Sequence, residues 1–355
     1  QTETGRTHPG FRSMLGEAGR FYADMTAGLA FVDAGILRMG RAGVEERLKA
    51  EPRLVPYRAL FEETIRKSDH VRSEEVEQAM AMVEPVTSAL SAASSILLYS
   101  DLPGPEATLP DGRRVVLDNA EERRLRRSED AAERRTAAEA SAQNRKRYEN
   151  TLAALLDGAV NRDLVEARVR RHPDVLTAEL FRYNVDPAVY RNLVRTVRDN
   201  LGPFHRLLRL RKGMLGLQEM RYHDVFLTVA SGPRQRISFD EARRLVLEAT
   251  APLGAEYAAL LRRAFEERWL DVYPHKDKNP GGFSSFTRGA HSYVLLNFGG
   301  SVFDTRTLAH ELGHALNYYL ADTSQPFASS EPSWFLSEVP SNVNEILLME
   351  HQRAV

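Results

Sequence analysis

The chain has 355 residues, 43% of them hydrophobic and 27% charged, with a formal net charge of −1. That length suits about two domains or one large helical one, and a charge so near zero excludes a bulk electrostatic pull toward nucleic acid or anionic membrane. Cysteine is absent, which excludes disulfides and thiolate metal sites together, so any metal must be held by His and carboxylate.

Residues 11–39 show apolar positions at helical spacing, and Gly40 and Gly43 break the pattern. Residues 44–49, 60–66 and 73–98 read as further helices, the last with a kink at Pro85. Pro103, Gly104, Pro105 and the turn Pro110-Asp111-Gly112 frame a strand at 113–117, so a small hairpin is expected near 105–118. Residues 121–144 are dense in Arg, Glu and Ala and are expected to continue as helix to Leu156. Their signs are mixed and no aromatic residue interleaves them, which points to a solvated helix laced by i,i+4 pairs and not to nucleic acid.

Helical spacing resumes at 161–170, 176–181 and 187–211, with a break at Gly202-Pro203. Residues 222–229 read as extended. Ser238 and Glu241 form a capping box that opens a helix to Thr250, and another helix spans 254–269. Residues 292–298 read as a buried strand whose edge can take a peptide by strand addition. The expected division is an N-terminal helical domain over 1–160, with the hairpin, and a second domain over 161–355 that carries the chemistry. No uninterrupted run of about 18 apolar residues occurs, so no membrane partner is expected. No basic-then-apolar leader opens the chain, so a cytoplasmic protein is expected, an already removed signal peptide being the alternative.

The chemistry lies in His310-Glu311-Leu312-Gly313-His314, on a helical run over 304–321 that Asp304 or Thr305 can cap. Leu308, Leu312, Ala315, Leu316 and Tyr319 form its apolar stripe. At about 100° per residue, His310, Glu311 and His314 share another face. Two imidazoles one turn apart suit two Zn–N bonds of about 2.0–2.1 Å to one ion. Glu311 is not needed as a ligand, so it is free to act as a base toward the water such an ion carries. A catalytic zinc needs a third protein ligand. A second helical run over 333–349 offers Glu338, Asn342 and Glu345 on one face, and Phe335, Leu336, Val339, Val343, Ile346 and Leu347 as its apolar residues. Pro340 marks its first turn or a kink. A carboxylate from the polar face would complete a site between two antiparallel helices.

The segment Thr307-Leu-Ala-His-Glu-Leu-Gly-His314, with Leu336-Ser-Glu-Val-Pro-Ser341 and Asn344-Glu345, resembles the oligoendopeptidase F and thimet oligopeptidase family of zinc peptidases. The likeness is strong over 265–350 and fainter toward the N-terminus. It implies that Glu338 is the third zinc ligand and that Glu345 supports a ligand histidine from behind. It also implies a mainly α, multi-helix zincin-type peptidase scaffold with a small β-element beside the zinc helix. In that family the region of His291 and Tyr293 borders the substrate cleft, making these two candidates for substrate contact. Asn317 departs from the pattern, where the family often carries His. The expected function is a zinc-dependent endopeptidase with one Zn2+, cutting internal bonds of short oligopeptides. The family fold continues past the point matching Val355, and a Tyr and a His from that later part assist the reaction. The C-terminal part of the scaffold is therefore expected to be absent here, with a further polypeptide segment completing the cleft. Two other readings stay open: a peptide-binding scaffold or inactive fragment without turnover, and a helical zinc carboxypeptidase.

Overall fold

Helices dominate the computed structural model, which describes residues 9–354 apart from 228, 230–235, 276–277 and 280. In chain order they begin with α1 (Pro9–Ala50), α2 (Arg58–Arg66) and α3 (Glu74–Ile96). The hairpin β1 (Glu106–Thr108) and β2 (Arg114–Val116) follows, antiparallel as expected. Then come α4 (Asn119–Arg126), α5 (Ala131–Lys146), α6 (Glu149–Val169), α7 (Val175–Arg182), α8 (Pro187–Asp199) and α9 (Leu201–Met214). The remainder holds α10 (Phe239–Ala249), α11 (Ala255–Glu266), β3 (Leu270–Asp271), β4 (Phe283–Ser285), β5 (Tyr293–Leu295), α12 (Val302–Ser324) and α13 (Glu338–Ala354).

Internal contacts divide the chain into one unit of residues within 1–69 and 234–355 and another within 70–233. The boundary expected at 160/161 falls in the middle of α6, a continuous 21-residue helix. Nothing in the sequence there interrupts helical hydrogen bonding, so no linker can form.

In the unit spanning 70–233, the hairpin region shares a core with α4 and α5 through Ala107, Leu109, Leu117, Leu125 and Ala137. The long solvated helix expected over 121–156 is instead three helices. Asp130 caps α5 by accepting from the Ala132 N–H at 2.7 Å, which ends the preceding turn, and α6 starts after Arg147-Tyr148. Nor is the run fully solvated: Arg134 is buried and donates to Asp224 Oδ1 at 2.7 and 3.1 Å. The segment 222–229, expected extended, starts with a 3-10 turn at Tyr222–Asp224, and part of it lies outside the described residues. Residues Glu74–Tyr99 are by length and composition long and apolar enough to cross a membrane, a correction to the expectation that no such segment exists. Glu84, Pro85, Thr87 and the serines interrupt the apolar run without making the segment hydrophilic on average.

In the other unit, α1 bends at Gly40, whose φ of 63° takes the left-handed region that glycine enters without a Cβ penalty. Gly43 does not interrupt the helix. The main core gathers Val246, Leu261, Trp269, Val294, Leu296, Leu308, Leu312, Leu316 and Leu348, so the stripe read on α12 faces inward. The sheet runs in the order β3-β5-β4, with β3 parallel and β4 antiparallel to β5. This is the small β-element expected beside the motif helix, and Ser284 on β4 stands opposite Val294.

Two ends differ from expectation. Helix α12 starts at Val302, not at Asp304 or Thr305. Ser301 accepts from the Asp304 N–H at 3.2 Å while Asp304 accepts from the Ser301 N–H at 2.9 Å, a reciprocal cap that satisfies two free donors. Pro340 sits in the first turn of α13, where its missing N–H has no helical partner to lose. On α13 the buried residues are Ser341, Asn344 and Leu348, whereas Val339, Val343 and Ile346 are exposed, as are Phe335 and Leu336 in the 3-10 turn before it.

Candidate metal centre

Helix α12 sets His310 and His314 one turn apart with ring centroids 4.7 Å from each other. Their Nε2 atoms are 3.1 Å apart. Glu338, the first residue of α13, brings Oε2 to 3.4 Å from His310 Nε2 and 3.5 Å from His314 Nε2. Tetrahedral zinc with ligand bonds of about 2.0–2.1 Å separates its ligand atoms by roughly 3.3 Å. The three atoms therefore have the mutual spacing of three corners of such a site. These are the residues named from the motif and the resemblance, and they are the only group of three or more His, Asp or Glu among the described residues so converged.

Around the trio, His310 and Glu338 are held from behind by hydrogen bonds. His310 Nδ1 lies 2.7 Å from Glu345 Oε1, which fixes the ring and leaves Nε2 as the free lone pair. Arg306, one turn before His310, donates to Glu345 Oε2 at 2.6 Å. The Glu345 carboxyl is raised by burial but brought below the usual carboxylate range by Arg306 and His310. Ser341 Oγ lies 2.9 Å from Glu338 Oε2 and 3.0 Å from its carbonyl oxygen. His314 Nδ1 is buried beside the Ser337 main chain but outside hydrogen-bonding geometry. Burial lowers the His314 pKa, Glu338 raises it, and His310 lowers it further, so the neutral, metal-binding form is favoured.

Glu311 lies close enough to feel the charges of His310 and Glu338 but is not one of the converged trio. It is 6% exposed. Burial raises its carboxyl above the ordinary range, against hydrogen bonding from Ser284 and the field of His310. Tyr318, a further turn along α12, has its phenol raised by burial and by the charges of Glu311, Glu338 and Glu331. Its ring lies against His314 and Phe286 at 6.3 and 6.1 Å.

Helix α13 is seated by small polar residues. A Cβ on Gly313 would come within 2.6 Å of Ser341 Cα and 2.7 Å of Pro340 O, so the two helices meet backbone to backbone there. Asn344 ties the crossing, donating to Ala309 O at 3.1 Å and accepting from the Tyr257 hydroxyl at 2.9 Å.

Sequence reasoning missed Ser284 and Arg306, and it named Ser341 and Asn344 in the motif without giving them a role. Arg306 was within reach, since it precedes His310 by four residues on one helix. His291 and Tyr293 are placed apart from the trio. His291 stacks on Trp269 at 5.3 Å and lies 4.5 Å from the Tyr293 ring, and no hydrogen bond or ring contact joins either to the trio among the described residues.

Residues 124–355 match the sequence profile of Peptidase family M3, and residues 36–103 match that of Oligopeptidase F. The chain belongs to Peptidase family M3. Among M3 relatives, oligopeptidase PepF of Bacillus subtilis (strain 168) is 30% identical over 341 residues, covering 96% of this chain and 51% of PepF. Group B oligopeptidase PepB of Streptococcus agalactiae serotype III (strain NEM316) is 28% identical over 340 residues, 96% of this chain and 56% of PepB. The crystal structure of oligoendopeptidase-F from Enterococcus faecium superposes with a TM-score of 0.69 at 22% identity, over 100% of this chain and 57% of that one. The M3 scaffold is thus present, and the chain spans about half the length of the curated relatives it matches.

Proposed function

We propose that this M3 chain is a zinc-dependent endopeptidase acting on internal bonds of short oligopeptides. The observation that carries the reading is the convergence of His310 Nε2, His314 Nε2 and Glu338 Oε2 at 3.1–3.5 Å, with a second carboxylate, Glu311, beside them but outside the trio. Two imidazoles and a carboxylate, with no sulfur, are the donor set of catalytic zinc with one position left open. Bound there, zinc supplies Lewis-acid polarisation of the scissile carbonyl and makes water acidic enough to be activated near neutral pH.

The chain's own groups do the rest. His310, His314 and Glu338 would hold the ion, and Glu345 orients the first of them. Glu311 accepts the proton of the attacking water and hands it to the leaving amine, a task that its raised carboxyl pKa favours. The edge expected on the strand at 292–298 is taken, because β5 pairs with β3 on one side and β4 on the other; among the described residues β4 pairs on one side only, so its other edge can hold extended substrate main chain. On the same reading a further polypeptide segment completes the cleft by covering Val339, Val343 and Ile346, which are exposed on α13. The names of the relatives, oligopeptidases and oligoendopeptidases, support the substrate class.

A quenched fluorescent oligopeptide tests this. Chelator-sensitive cleavage inside the peptide is expected, and Glu311→Gln should abolish it with zinc still bound. Intact peptide at full zinc occupancy would favour a binding scaffold, and stepwise loss of terminal residues a carboxypeptidase. Glu338→Ala should weaken zinc binding; unchanged affinity would reject it as a ligand.

A further inference from the structure

Two serines of the sheet region reach α12. Ser292 Oγ, fully buried, donates to Ala315 O at 2.8 Å. One turn earlier, Ser284 Oγ on β4 lies 2.7 Å from Glu311 O, the equivalent stitch. Only Ser284 has a second acceptor in reach, Glu311 Oε2 at 3.1 Å. A hydroxyl carries one proton, so it is shared between the main chain and the carboxylate of the same residue. A glutamate on a helix otherwise has three torsions with which to swing its carboxylate. Holding Oε2 restricts the swing of the carboxylate and leaves Oε1 as the oxygen free to receive a proton. No hydrogen bond to Oε1 is made among the described residues.

We infer that Ser284 is a positioning residue for Glu311, holding the base in its working orientation; the inference rests on Glu311 being the base. The strand that would pair with substrate also carries Ser284, so peptide docking and carboxylate orientation share one rigid element. The effect of losing it falls on the rate of the chemical step and not on peptide binding, because Ser284 Oγ faces Glu311 and not the free strand edge. Misplacing a reacting group by about 1 Å costs on the order of 100-fold.

Ser284→Ala, Ser284→Thr and Ser292→Ala, each loaded with zinc and checked for an intact thermal transition, form the test. Ser284→Ala should lower kcat by roughly 10- to 100-fold with KM and zinc content unchanged. Ser284→Thr, which restores the hydroxyl, should recover most of that loss. Ser292→Ala, which removes only the main-chain stitch, should keep kcat. Wild-type kcat in Ser284→Ala, with Glu311→Gln dead, overturns the inference while leaving Glu311 as the base; activity in Glu311→Gln overturns both. Crystal structures of the zinc-loaded wild type and Ser284→Ala give a second readout that does not depend on turnover. A single Glu311 rotamer in the wild type that splits or swings in Ser284→Ala is expected, and an unchanged rotamer overturns the inference.

Discussion

Gly313 and Ser341 meet with so little space that a single added carbon on Gly313 would lie 2.6 Å from Ser341 Cα. The obstructing atoms are all backbone, so no side chain can turn aside. Glu338 lies three residues before Ser341 on α13, and any displacement of that helix moves the third ligand. Gly313→Ala is expected to destabilise the chain by about 1–3 kcal/mol, as overpacked cores do. It should also weaken zinc binding, although Gly313 is not a ligand. Thermal melts and zinc titration check this; wild-type zinc affinity in Gly313→Ala would show that α13 can shift without cost to the site.

His310 depends on a carboxylate it shares with an arginine. Glu345 accepts from Arg306 at 2.6 Å and lies 2.7 Å from His310 Nδ1. Groups that orient a ligand from behind typically contribute about 10- to 100-fold in metal affinity. Glu345→Ala is expected to lose that much, and Arg306→Met a smaller part of it, because Glu345 keeps its contact with His310. Competition against a chelator of known affinity measures both. Equal affinity in Glu345→Ala and wild type would mean that packing alone fixes the ring.

Away from the metal centre, the Arg134–Asp224 pair is buried at both ends, with side chains 1% and 5% exposed. Burial raises the Asp224 carboxyl, but the Arg221 N–H and the Arg134 guanidinium outweigh it and hold the pKa below the unperturbed 3.8. The folded chain therefore resists protonation that the unfolded chain accepts. This stabilisation is complete above pH 3.8 and is lost as pH falls from there through the folded pKa. Asp224→Asn leaves the guanidinium buried without its counter-charge and is expected to cost about 3–5 kcal/mol at neutral pH. Denaturant melts at neutral and acid pH check both parts: the difference between variant and wild type should shrink on acidification.

The site was legible where chemistry and period coincide. The i,i+4 histidines, the intervening Glu311 and the inward stripe of Leu308, Leu312 and Leu316 all follow from one helix. The hairpin at 106–116 was legible from its turn residues. What could not be read is packing between separate elements. Val339, Val343 and Ile346 look like a core face by hydrophobicity, yet Ser341 and Asn344 are the buried residues. Only small or hydrogen-bonded side chains fit where Gly313 lets α13 approach. The Ser284–Glu311 contact bridges 27 residues and leaves no periodic trace. The S-x-x-D cap at Ser301 and Asp304 is readable in the sequence, although Asp304 or Thr305 is the cap expected from it.

Glu311 bears a stability cost that its proposed role explains. Burial raises its carboxyl pKa above the unperturbed 4.5. The folded chain then holds this proton more tightly than the unfolded chain does. Its contribution is favourable below pH 4.5 and declines as pH rises through the folded value, after which a buried carboxylate must stay charged. In the metal-free chain, Glu311→Gln removes that charge and keeps an oxygen to accept from Ser284. The variant is expected to melt higher than wild type at neutral pH, and the gain should vanish as pH falls below 4.5. Calorimetry of both chelated proteins across that range measures it. A variant no more stable than wild type at neutral pH would mean that the carboxylate is solvated in the folded chain and carries no stored cost.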